Sequence, residues 1–217
     1  VLFAVADCTG HGVPGAMVSV VCSGALNRAV KEFQLKMPGK ILDKVRELVL
    51  ETFEKSESEV KDGMDISLCA VDFEKRKLYW SGANNPVWIL NAIEAKKSKL
   101  SFEELTAQQI DLSQYGLREF KADKQPIGAT ENPKPFTTHE IDLLEGDVIY
   151  MSSDGFADQF GGAKGKKFKD SNLKKLLITL SDKDLSEQTK HINAAFEEWR
   201  GNLEQVDDVC LIGVRVA

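Results

Sequence analysis

Carboxylates set where apolar runs end are the side chains in this sequence best placed to do chemistry. Asp7 follows the strand-like run 1–6 and leads into Gly10-His11-Gly12-Val13-Pro14-Gly15. Asp154 follows the apolar run 147–153 and precedes Gly155. Asp207 and Asp208 stand side by side before the run 209–216, and Asp65 opens the run 66–73. Singly, each has an ordinary reading as turn or capping chemistry. For Asp7 that reading, a turn that caps the next helix, stands beside the reading as a cation ligand. Together the acids form a pattern, because a fold that gathers strand ends gathers these carboxylates. Neighbouring carboxylates repel one another, which a cation offsets. Oxygen ligands without His or Cys select Mg²⁺ or Mn²⁺ over zinc. Two such ions, ~3.5–4 Å apart, lower the pKa of a bridging water and clamp a phosphoryl group. The chemistry to expect is metal-dependent phosphoester hydrolysis.

The stretch 10–15 also spells G-x-G-x-x-G, the dinucleotide-binding fingerprint. Two features exclude that use. Asp7 would set a carboxylate against the pyrophosphate, and the acid expected about 20 residues on, at the end of a second strand, falls at Lys31-Glu32 inside a helical pattern. The glycines are therefore expected to serve backbone geometry. His11 has two readings, a general acid toward a leaving serine oxygen and a helix-start residue hydrogen-bonded to its loop. Lys124 and Gln125 read as a turn or as contacts to a phosphoprotein. The basic loop 164–169 reads as a solvated face or a docking site.

The elements that must position these groups alternate in blocks. A strand at 1–6 precedes a helix from Val13 whose apolar positions are Met17, Val20, Val21, Ala25, Ala29, Val30 and Phe33. Pro38-Gly39 breaks it, and a second helix presents Ile41, Val45, Leu48, Val49 and Phe53. Runs 66–73, 77–81 and 87–90 read as strands, the first two as a hairpin. The polar segment 92–112 reads as an insertion or flap. Runs 137–143 and 147–152 read as a hairpin across Glu145-Gly146. Helices follow at 171–180 and 185–199, the second ended by Gly201, and then a last strand at 209–216. Paired helices between strand blocks argue for an α+β fold with antiparallel sheets.

The 217 residues are 42% hydrophobic, enough for a core, with 28 basic against 34 acidic side chains and a net charge of −6. An acidic balance argues against a nucleic-acid partner. No apolar run approaches the ~18 residues that span a bilayer, and no signal-peptide pattern opens the chain, so membrane insertion of this segment is not expected. The four cysteines, Cys8, Cys22, Cys69 and Cys210, lack paired spacing, and the three histidines stand far apart. They read as reduced thiols in a cytoplasmic protein.

Residues 7–16, Asp-Cys-Thr-Gly-His-Gly-Val-Pro-Gly-Ala, resemble the D-x-x-G-H-G-x-x-A-A signature of SpoIIE/RsbU-type serine/threonine phosphatases, bacterial members of the metal-dependent (PPM, PP2C-like) superfamily. Gly63-Met-Asp-Ile-Ser-Leu, Ser81-Gly-Ala-Asn-Asn-Pro, the stretch 146–155 and Asp207-Asp-Val-Cys-Leu-Ile fit the same pattern in order. The resemblance implies an α-β-β-α sandwich of two antiparallel sheets flanked by helices, with two Mn²⁺ or Mg²⁺ ions at one end. It implies that Asp7 bridges the ions, that the Cys8 carbonyl joins it, that Asp154 and Asp207 complete the carboxylates, and that Asp208 orients Asp207 or a metal-bound water. It implies in-line attack of a metal-bridged water on phosphoserine or phosphothreonine. The implied substrate is a phosphorylated STAS-type anti-sigma-factor antagonist, and an upstream sensor domain is the implied partner within a bacterial signalling protein, cytoplasmic or membrane-bound. Residues 1–217 are expected to be a single phosphatase domain, cut from that larger protein and lacking the N-terminal strand or strands that supply a further acid. The alternative is a non-catalytic signalling or scaffold module with the same fold.

Overall fold

The structure is a computed structural model that describes residues 1–10, 12–53, 62–97, 100–107 and 111–216. By its contacts the chain divides into two compact units, residues 1–87 with 121–143, and residues 88–120 with 144–217.

The first unit is a four-stranded sheet with two helices. Strands β1 (Leu2–Cys8), β2 (Met64–Asp72), β3 (Lys77–Ala83) and β6 (His139–Asp142) lie in the order β1-β2-β3-β6. Each neighbouring pair is antiparallel, with Asp7 opposite Asp65 and Cys8 opposite Met64. Helices α1 (Gly12–Lys31) and α2 (Pro38–Phe53) pack their apolar faces into one core. Ile41, Leu42, Val45 and Val49 of α2 are fully buried there with Ile66 of β2. Each such aliphatic side chain contributes about 1.5–3 kcal/mol.

On α1 the buried stripe is Gly15, Val18, Cys22, Ala25 and Ala29. The expected stripe ran through Met17 and Val20, which are instead 67% and 73% exposed. The smaller residues win the inner face because they let the helices approach more closely than long aliphatics would. By length and hydropathy α1 could cross a bilayer, and Gly15, Val18, Cys22, Ala25 and Ala29 are its buried residues.

The second unit has the sheet order β10-β7-β4-β5, built from β4 (Val87–Asn91), β5 (Leu117–Phe120), β7 (Asp147–Ser152) and β10 (Leu211–Arg215). Two short strands, β8 (Phe160–Gly161) and β9 (Lys166–Lys167), pair across the basic loop. Helices α3 (Ala92–Lys97), α4 (Phe102–Ala107), α5 (Gly155–Asp158), α6 (Asp170–Thr179) and α7 (Leu185–Arg200) complete the unit. Its core joins Trp88, Leu90, Val148 and Tyr150 of the sheet to Leu173, Leu177 and Phe196 of the helices.

Two expectations are corrected. The described stretches of 92–112, residues 92–97, 100–107 and 111–112, are no flap, since Ala95 and Leu105 are buried in this core beside Leu117 and Phe168. The runs 137–143 and 147–152 are not a hairpin. β6 pairs with β3, whereas β7 pairs with β4 and β10 in the other sheet. Their burial explains the split. β7 is buried at all six positions and lies inside its sheet, whereas β6 buries only Ile141 and lies at the edge of the other. Every strand pair with a described register is antiparallel, and α1 leads to α2 and not to a parallel strand, which removes the dinucleotide-binding topology.

Candidate metal centre

In the first unit, Asp7 is half-buried near the end of β1, where the chain turns toward α1. Gly10 makes that turn at φ 87°, and a Cβ on Gly15 would meet the Gly10 carbonyl oxygen at 2.4 Å. The glycines serve backbone geometry, as expected. Thr9 ties the loop to its neighbour. Its N–H donates to the Gly63 carbonyl at 3.0 Å, and its hydroxyl accepts from the Gly63 N–H at 3.0 Å and donates to Asp62 at 3.1 Å. Asp65, opposite Asp7, accepts from the Asn84 amide at 2.8 Å, and Asn84 itself lies in the left-handed region at φ 58°. The Cys8 thiol is hydrogen-bonded to Cys22, which holds it down at about 6 against partial burial; a hydrogen bond with Ser19 acts in the same direction. The same contact, with burial, pushes the Cys22 thiol up. His11 lies outside the described residues.

In the second unit, Asp154 and Asp207 each offer a carboxylate oxygen, and the two lie within 4.8 Å of each other although 53 residues separate them. Asp154 directly precedes α5 but its side chain makes no capping hydrogen bond to that helix, so helix capping does not explain it. What brings the two acids together is a main-chain clasp. Ser153 N–H donates to the Cys210 carbonyl at 2.9 Å, the Ser153 hydroxyl donates to the Asp208 carbonyl at 3.0 Å, and the same hydroxyl accepts from the Cys210 N–H at 2.9 Å. Gly155 lets the backbones touch, since a Cβ there would meet the Asp208 carbonyl oxygen at 2.4 Å. Gln159, fully buried, donates to the Glu204 carbonyl at 2.9 Å and accepts from the Val206 N–H at 3.2 Å. Gln205 donates to the Asp207 carbonyl at 2.8 Å. Asp208 orients Asp207 through its backbone, whose N–H donates to Asp207 Oδ1 at 2.7 Å.

The donor set fits a hard divalent cation. Two exposed carboxylates with converging oxygens, and no imidazole or thiolate grouped with them among the described residues, suit Mg²⁺ or Mn²⁺. Ser153, Gly155, Gln159 and Gln205 escaped the sequence reading; only Gly155, in its Asp-Gly pair, carried a local signal. The remaining candidates fall elsewhere. Gln125 is buried and locks a turn, accepting from Arg46 at 3.1 Å and from Lys134 N–H at 3.0 Å. In the basic loop, Lys167 pairs with Asp158 at 2.7 Å.

The family model for Stage II sporulation protein E (SpoIIE) matches residues 1–105 and 114–217. Among solved structures, the SiaA PP2C domain of Pseudomonas aeruginosa is 26% identical with a TM-score of 0.80, over 99% of this chain and 75% of that one. The RsbU and RsbW domains of Rv1364c from Mycobacterium tuberculosis are 16% identical with a TM-score of 0.70, over 99% of this chain and 51% of that one. The PP2C phosphatase domain of SpoIIE from Bacillus subtilis, with a fragment of its regulatory domain, is 16% identical with a TM-score of 0.68, over 99% and 54%. The last two likenesses are of fold, and this chain spans about half of each. No curated protein matches the chain in sequence.

Proposed function

The chain belongs to the SpoIIE family and is a PP2C-type serine/threonine phosphatase domain, and on that premise we propose that it hydrolyses phosphoserine or phosphothreonine on a protein with the help of two Mn²⁺ or Mg²⁺ ions. In this reading Asp7, Asp154 and Asp207 hold the ions, with the Cys8 carbonyl as a further donor. The observation that carries it is the pair Asp154 and Asp207, whose oxygens converge within 4.8 Å on segments clasped by Ser153 and Gly155. Ions held there would lower the pKa of a bound water and would supply positive charge to stabilise the phosphoryl group.

The chain's own part is to keep those donors fixed. Ser153 and Gln159 prevent the 204–210 segment from drifting away from Asp154, and the Asp208 N–H fixes the rotamer of Asp207. Fixed ligands favour one coordination geometry and lower the reorganisation needed during phosphoryl transfer. The proposed substrate is a phosphorylated STAS-type anti-sigma-factor antagonist, and the proposed setting is the cytoplasmic output end of a signalling protein with an upstream sensor. Both rest on family membership.

The test is phosphate release from a phosphoserine peptide and from a phosphorylated STAS domain, with Mn²⁺, with Mg²⁺ and with a chelator. The expected result is metal-dependent release, fastest on the STAS domain and lost in Asp207→Asn. Metal-independent release, or full activity in Asp207→Asn, overturns the metal-site reading. Slower release from the STAS domain than from the peptide overturns the substrate assignment alone.

A further inference from the structure

From Gln159 to Lys169 the second unit carries four lysines, Lys164, Lys166, Lys167 and Lys169, and no acid, in a sequence where acids outnumber bases. β8 and β9 fold this run into a hairpin, with Phe160 opposite Lys167 and Gly161 opposite Lys166. All four lysines are exposed, and so is Phe160, whose ring centroid lies 5.9 Å from Lys167 Nζ. Among the described ion pairs, Lys167 with Asp158 is the one that engages the run. A merely solvated loop needs no fixed shape, yet this hairpin is clamped. Gly162 N–H donates to the Trp199 carbonyl at 2.8 Å, and Gly161 lies too close to that same oxygen for any Cβ. Phe168 N–H donates to the Gln159 carbonyl at 3.0 Å, and Lys169 N–H to the Ala157 carbonyl at 2.7 Å. Lys169 stands at φ 76° and ψ 145°, a backbone conformation easy for glycine and strained for lysine. Its side chain makes no capping bond to α6. Glycine would serve that position better unless the ammonium group has a use.

We propose that this hairpin is a docking face for acidic residues beside the phosphorylated serine or threonine, so that the domain selects phosphoproteins with an acidic segment about two to four residues from the phosphate; this rests on the reading of Asp154 and Asp207 as the metal ligands of a phosphatase centre. One helical turn ties the hairpin to that centre. Asp158 N–H donates to the Asp154 carbonyl at 2.8 Å, so the two residues stand about 6 Å apart along the helix axis. Lys167 Nζ lies 2.7 Å from Asp158 Oδ2. An extended peptide rises about 3.3 Å per residue. The first ammonium group therefore falls about two residues from a phosphate held at Asp154, and Lys166 and Lys164 farther along the hairpin extend that reach to about four.

An acidic segment meets repulsion from a chain of net charge −6 and from Asp154, Asp158 and Asp207 in particular. The lysines offset that repulsion on the side where the peptide leaves the centre, and the exposed Phe160 ring adds an apolar contact between them. Because the hairpin is already clamped to Trp199, Gln159 and Ala157, binding does not have to order it. Attraction between exposed charges is screened by salt, so the preference should weaken as salt rises.

The test compares two phosphoserine peptides of one sequence, with Asp or with Asn at the positions two to four residues to either side of the phosphoserine. Mn²⁺-dependent phosphate release is measured at low and high salt, and labelled phosphonate analogues of both peptides, which resist hydrolysis, report binding by fluorescence anisotropy. At low salt kcat/KM should favour the Asp peptide by about 10-fold, the scale of two or three exposed ion pairs, through KM and not kcat, and high salt should remove most of the difference. The triple variant Lys164→Gln, Lys166→Gln, Lys169→Gly should lose the preference, while its turnover of p-nitrophenyl phosphate, which has no flanking residues, should equal wild type. Lys169→Gly alone relieves the backbone strain, so it should melt no lower than wild type and lose part of the preference; it decides the matter if the triple variant does not fold. Equal kcat/KM and equal binding for the two peptides overturn the proposal, and so does a preference that survives the substitutions. Tighter binding of an RNA oligomer or of phosphatidylserine vesicles than of the Asp analogue also overturns it. Selective binding of the Asp analogue, lost in the variants, by a protein that releases no phosphate would leave the docking face standing and the phosphatase reading fallen.

Discussion

Gly155→Ala should damage the site although its backbone conformation tolerates alanine. Gly155 opens α5 and has no positive φ, so helix propensity alone predicts a gain of about 0.5–1 kcal/mol. The surroundings reverse that sign. The new Cβ would stand 2.4 Å from the Asp208 carbonyl oxygen and 2.9 Å from its carbon, where ordinary contact begins at 3.4 Å. The Asp208 carbonyl must retreat by about 1 Å, and the Ser153 hydroxyl, now 3.0 Å from that oxygen, then loses its hydrogen bond. Overpacking of this kind costs about 1–3 kcal/mol, or about 2–12 °C in melting temperature for a chain of this size. A ligand misplaced by about 1 Å costs on the order of 100-fold in function. Calorimetric titration with Mn²⁺ and a melt without metal measure the two effects separately. A lowered melt with wild-type Mn²⁺ affinity would refute the reasoning, because it would mean that the 207–208 segment carries no part of the ion site.

Asp154→Asn should abolish metal-dependent phosphate release while the metal-free melt is no lower than wild type, since one of two converging carboxylates is neutralised; a clear drop in the metal-free melt would make Asp154 a structural residue. Added Mn²⁺ should raise wild-type stability by about 2.7 kcal/mol at 100 times its dissociation constant, reversibly with a chelator, and a Mn²⁺ response retained in Asp207→Asn would contradict the assignment. Asp147→Ala should cost about 1.5–3 kcal/mol in urea unfolding, because the fully buried Asp147 accepts from Asn91 at 2.8 Å and Leu144 N–H at 3.0 Å as well as from the part-exposed Arg118 at 2.9 Å; a cost under about 1 kcal/mol would show that these donors find other partners.

What could be read from sequence and what could not divide along a physical line. As candidate ligands Asp7, Asp154 and Asp207 were visible because a carboxylate at the end of an apolar run is a local pattern, and so were the turn glycines and the helix end at Gly201, whereas Pro38, expected to break the first helix, instead opens α2 after α1 has ended at Lys31. The pairing partners of strands were not local. The runs around β6 and β7 are separated by a turn-like Glu145-Gly146, yet the first is completed by β3 and the second by β4 and β10. The same holds within the site. Gln159 looks like any polar residue after a short helix, and only the carbonyl of Glu204 and the N–H of Val206, 45 and 47 residues away, give its buried amide a purpose. Ser153 is likewise one of two adjacent serines until Asp208 and Cys210 arrive beside it. The ligands of such a site are thus written in residue type, whereas the precision of their placement is written in backbone groups that carry no residue identity. Substitutions at Ser153, Gly155 and Gln159 should therefore weaken metal binding without removing a single ligand, and a sequence that keeps all three aspartates but loses those clasps should bind metal poorly.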